Sequence, residues 1–331
     1  KNASLAVGNN NQATGGASTA MGVSSIASGE ASVAIGNVAQ ATQIRTTAIG
    51  NRAIASEDSA TAYGNRANAT ALRATAIGSE ANAVDYDATA VGSKAKAMVA
   101  ASVAVGNNAT ASEQSAIAVG QNAGANSINA ISIGVNTTAT ANHALAMATN
   151  ANASGVQTIA IGTDTKSSGE ASIAVGKTAL ATANAAVAVG SDAQATAQNT
   201  VAVGIHSKAT NQRGVAVGTY SEATADNTVA VGGFSKATSE RATAVGVLAK
   251  ASGESSFAGG AAANASGTNS IAIGGATDGS SADSKSAAKA VGAQAIAVGY
   301  KSQALADNTI AQGNGATANK TADIAVGYAA Q

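Results

Sequence analysis

Proline, cysteine and tryptophan are all absent from this 331-residue chain, aromatic residues make up 2% and charged residues 11%. The missing cysteines exclude a disulfide framework and a thiolate metal site. Too few large side chains remain for a single compact core, because most of the apolar residues are alanine and valine, which bury little area each. Lysine and arginine together number 18 and so do aspartate and glutamate, giving a formal net charge of zero. No basic run appears, so nucleic acid is not expected as a partner. No run of 18 apolar residues is present, so no helical membrane span is expected and this stretch should make no membrane contact.

In place of these features the chain has glycine, 37 residues of it, in a strict repeat. Units such as SLAVG (4–8), SVAIG (32–36), SVAVG (102–106), SIAVG (172–176), TVAVG (200–204) and SIAIG (270–274) close on a glycine that recurs every 14 residues from Gly8 to Gly274. Ala148 keeps the register but replaces the glycine. After Gly274 the next closing glycine is Gly299, so 11 residues are inserted before Gly313 and Gly327 resume the step. The result is 23 repeats over essentially the whole chain, a single repetitive domain 1–331 with a loop insertion at about 275–294.

Each unit reads as two short strands. Before the glycine, β-branched residues alternate with alanine, as in Val33, Ala34 and Ile35. After it, small residues such as Ala39 and Ala41 alternate with polar ones. Period-two alternation marks strands, and frequent glycine excludes helix. Fourteen residues with two strands make one flattened coil, and stacked coils make two parallel sheets, an all-β parallel solenoid or β-roll. We expect the valines and isoleucines to face the alanines inside the coil. The remaining face of the first strand, carrying serine or threonine and then alanine, is expected to pack against other copies of the chain. At about 4.8 Å per coil the stack is expected to be on the order of 110 Å long.

These units, with alanine three and five residues beyond the glycine, resemble the head repeats of trimeric autotransporter adhesins of the YadA-like type. The resemblance implies a left-handed β-roll and a homotrimer at the outer surface of a Gram-negative bacterium. It also implies a neck, stalk and membrane anchor beyond the head; none is visible before Gln331, so the chain reads as a head fragment. The implied function is attachment to host extracellular matrix proteins (collagen, fibronectin or laminin class) or a host surface receptor, or bacterial autoaggregation.

Collagen-binding units of that family end in serine, where most units here carry alanine. The closest matches, NTVAVGIHS (199–207), GVAVGTYS (214–221) and NTVAVGGFS (227–235), end in Ser207, Ser221 and Ser235. Two residues after the glycine in the same stretch stand His206, Tyr220, Phe234 and Leu248. On stacked coils they should form an outward column roughly 5 Å apart, flanked by Lys208, Glu222, Lys236 and Lys250. Such a column is either a ligand-binding surface or a ladder that steadies neighbouring coils. His143 is expected to be a turn residue. No enzyme is expected, no cofactor and no metal, because the acids are scattered and no nucleophile–histidine–acid arrangement is suggested. An ice-binding solenoid is the alternative, since Thr46, Thr200 and Thr228 begin their units, although serine and alanine interrupt the rank.

Overall fold

The structure, a computed structural model, describes residues 3–276 and 286–331, which fall into two units, Lys1–Asp164 and Thr165–Gln331. In each unit every 14 residues make one coil of two strands. Three residues form the first strand in most coils, as in Val103–Val105, and two form the second, as in Thr110–Ala111. Like strand pairs with like strand in the next coil, parallel and in register: Val103 with Ile117, Thr110 with Gly124. The step is 14 residues except at the insertion, where Ile271 pairs with Ile296.

Two tight turns close each coil, one beginning at the glycine and the other seven residues later. Each turn holds one residue at positive φ, for example Asn108 (56°) and Ser115 (55°) in one coil. Asparagine suits that backbone region, but arginine, lysine, tyrosine, phenylalanine and leucine also occupy it here. The N–H of this residue bonds back to the preceding coil, as Asn108 does to the Ser93 carbonyl at 2.9 Å. Tertiary stacking therefore holds a conformation that the residue types alone would not select.

The structure inverts the expected faces of the first strand. Ala34 and Ala104, with Ser32 and Ser102, are fully buried, whereas Val33, Ile35, Val103 and Val105 are only half-buried and point outward. The coil interior takes four small side chains, such as Ser32, Ala34, Ala39 and Ala41. Among the described residues the largest fully buried side chain is a threonine. The reason is thickness: strands joined by such short turns lie too close for a valine or isoleucine between them. Buried hydroxyls close the turns, as Ser32 Oγ donates to the Gly29 carbonyl at 2.7 Å. The apolar side chains of the first strands consequently form an outward row within each unit.

Part of the insertion lies outside the described residues, which omit 277–285. Its edges are narrower than the sequence suggests. Ala276 still bonds to the Ala261 carbonyl below it at 2.9 Å, and the Ser286 carbonyl already accepts from Lys301 above it at 2.9 Å. Lys289–Ala290 is a regular second strand, pairing with Asn264–Ala265 and Gln303–Ala304.

Candidate functional site

The first turn sets one side chain per coil at its edge, and successive coils stack these into a column. In the first unit Asn108, Asn122, Asn136 and Asn150 pass an amide hydrogen bond along the column at 3.0, 3.0 and 3.4 Å, and Asn150 donates to Asp164 at 2.9 Å. In the second unit the same position changes character. The Thr178 hydroxyl donates to Asp192, and His206 Nδ1 lies 3.7 Å from Asp192 Oδ2. The Thr178 hydroxyl, then that of Ser191, holds the Asp192 carboxyl below the usual carboxylate range, with His206 and Lys177 adding to the effect.

Above His206 the column is aromatic. Its ring stacks on Tyr220 at 4.7 Å between centroids and 21° between planes, and Tyr220 stacks on Phe234 at 5.1 Å and 10°. Leu248 continues the position in the next coil. The sequence-derived column is therefore present at coil spacing, but its members are turn residues at positive φ (54°, 56°, 58° and 62°), not strand residues. Ring faces are turned to one another, so the column offers ring edges to solvent, with Tyr220 45% and Phe234 49% exposed. Ile205 and Val247, one residue earlier in their turns, are about equally exposed and widen the ridge. The exposed Lys208, Lys236 and Lys250 flank it, and Lys236 Nζ lies 3.0 Å from Glu222 Oε2. An edge-on apolar ridge beside lysines suits contact with another protein surface. It does not suit a sugar lying flat on a ring.

Ser207, Ser221 and Ser235 are placed elsewhere. All three are fully buried inside the coil, and their hydroxyls donate to the carbonyls of Gly204, Gly218 and Gly232 at 3.0, 2.9 and 2.8 Å. They close the turn that presents the ridge and offer no atom to a ligand. His143 sits in the second turn (φ 59°), its Nε2 3.3 Å from the Asn129 amide nitrogen. Thr46, Thr200 and Thr228 are buried, their hydroxyls bonded to the carbonyls of Gln43, Ala197 and Ala225. The ice-binding reading has no support, since these threonines face the interior and not water.

Comparison with curated proteins finds no match. The profile of the YadA head domain repeat, two copies to a match, fits overlapping windows along the chain, from 2–25 through 251–277 and again at 290–316 and 304–330. Nearly every residue falls inside a window, and the windows step with the coils. By this match and by its stacked parallel coils the chain belongs to the YadA head repeat family, a surface-exposed, adhesin-type repeat and not a known class of enzyme.

Proposed function

We propose that the chain is the head of a trimeric adhesin of the Gram-negative outer membrane, a left-handed roll that binds host matrix proteins or a host receptor and catalyses nothing. The observation that carries this reading is the outward row of first-strand apolar side chains. In the second unit Val187, Val189, Val201, Val203, Val215 and Val217 repeat coil after coil, each half-buried by its own chain. A contiguous apolar row of this extent is stable in water only when covered. Its flat, evenly spaced side chains suit identical copies of themselves, and the family supplies three copies around an axis.

In this assembly the ridge of Ile205, Tyr220, Phe234, Val247 and Leu248, with His206 at its start, is the adhesive contact. Three copies of a weak ridge act together through avidity. The test is attachment of cells displaying the head to immobilised collagen, fibronectin and laminin. Tyr220→Ser with Phe234→Ser should abolish most attachment while circular dichroism stays unchanged. Undiminished attachment by the folded variant would remove the ridge from the proposal.

A further inference from the structure

A second candidate surface lies in the first unit and owes nothing to the aromatic ridge. The first-turn column there runs Arg52, Arg66, Glu80 and Lys94, all exposed. Beside it, on the outward side of the second strands, run Ile54, Asn68, Asn82 and Lys96, paired coil to coil. The two columns enclose an open groove of about 470 Å³, floored by Ile54, Ala67 and Ala81. That size falls within the range of about 300–1,000 Å³ typical of ligand clefts.

The charge of this groove is unlike that of the chain. The whole molecule is neutral, yet here four cations meet one carboxylate. Glu80 engages Arg66 at 3.9 Å, and among the described residues Arg52, Lys94 and Lys96 have no ion pair. Arg52 and Arg66 hold the same turn position in successive coils, about 5 Å apart. Like charges directly opposed destabilise a sheet, so this arrangement weakens the fold unless an anion covers it. The unused cations are mounted on rigid turns, and the arginine fork matches carboxylate and sulfate oxygens alike.

The layout also restricts the ligand. From Arg52 to Lys94 the cations span three coil steps, roughly 15 Å along the stacking direction. A linear chain with recurring anionic groups fits this, and a single anion does not. Between the cations stand Asn68 and Asn82, whose amides are linked at 2.9 Å and suit hydroxyl groups. No aromatic side chain lines the groove, so the base stacking that holds single-stranded nucleic acid is missing.

We propose that Arg52, Arg66, Lys94 and Lys96 form a binding groove for a linear anionic polysaccharide. Glu80 limits its affinity by occupying Arg66.

Titration of the whole chain with a heparin fragment, with a polyuronate and with polyglutamate tests this. The two sugars separate sulfate from carboxylate as the preferred anion, and binding of either one supports the groove. Sugar binding should weaken steeply with salt. Arg52→Gln with Lys94→Gln and Lys96→Gln should weaken it at least tenfold. Glu80→Gln should strengthen it severalfold, an effect that misfolding cannot mimic. Arg45→Gln with Lys177→Gln and Arg213→Gln removes the same charge elsewhere and should leave affinity unchanged. The proposal is overturned if the groove variant binds like the parent, if the control variant loses as much, or if Glu80→Gln has no effect. Polyglutamate bound as tightly as the sugars would overturn it in favour of an acidic protein partner.

Discussion

Replacing Gly204 by alanine should cost several kilocalories per mole, and the opposite change at Ala148 should return some. Gly204 has φ +132°, in a region almost closed to other residues, at a cost of about 1–3 kcal/mol. A β-carbon there would also stand 2.5 Å from the Gly218 carbonyl oxygen and 2.6 Å from its carbon. Both are backbone atoms of the next coil, which cannot swing aside. Forcing extra volume into a site this tight adds about another 1–3 kcal/mol. The expected loss is about 4 kcal/mol, placed on the junction between two coils, since a stack of repeats is stabilised neighbour by neighbour. The chain already contains the partial solution. Ala148 occupies the same position at φ +87°, and the β-carbon drawn at Gly134 would meet it at 2.9 Å. The backbone there has turned away from the ordinary geometry, so Ala148→Gly should stabilise by up to about 1 kcal/mol after the flexibility of glycine is discounted. Urea unfolding followed by circular dichroism reads both: the midpoint should fall for Gly204→Ala and rise for Ala148→Gly. A change below about 0.5 kcal/mol for Gly204→Ala would refute the contact argument.

The inverted faces make an asymmetric prediction. Ala202→Val places two methyl groups in a full interior and should cost about 1–3 kcal/mol, whereas Val203→Ala should leave coil stability nearly intact and weaken association instead. Thermal melts combined with sizing separate the two effects. Acid should also soften the stack. The Arg73 guanidinium, bonded at 2.6 Å through two nitrogens, holds the Asp87 carboxyl below the usual carboxylate range, as the Thr178 hydroxyl does at Asp192. A depressed carboxyl stabilises the fold fully above its ordinary value near 4 and loses that contribution as pH falls through its lower folded value. Midpoints measured from about pH 5 downward should therefore decline, and Asp87→Asn with Asp192→Asn should flatten the decline. A parent curve that stays level in acid would contradict the pairing.

The coil and its step are legible from the closing glycines alone, and so is the column of His206, Tyr220 and Phe234 at coil spacing. Which face turns inward is not. Alternation of Val33, Ala34 and Ile35 announces two faces, and the habit of placing large residues inside chooses the wrong one. The choice depends on how closely two strands approach, which follows from turns whose positive-φ positions hold Arg52, Phe234 or Leu248 and carry no glycine or asparagine signal. Ser207, Ser221 and Ser235 look like ligand contacts because motif similarity cannot distinguish a turn-closing hydroxyl from an exposed one. The groove of Arg52, Arg66, Lys94 and Lys96 is invisible to a search for basic runs, since its members lie a coil or more apart. Writing the sequence in rows of 14 would have aligned them.

Sedimentation equilibrium of the purified chain at micromolar and lower concentrations tests most directly whether sister copies cover the valine and isoleucine row. Three chains per particle, falling toward one when Val203 and Val217 are changed to aspartate with circular dichroism preserved, is the predicted result. A stable single chain in dilute solution, with that row open to water, would contradict it.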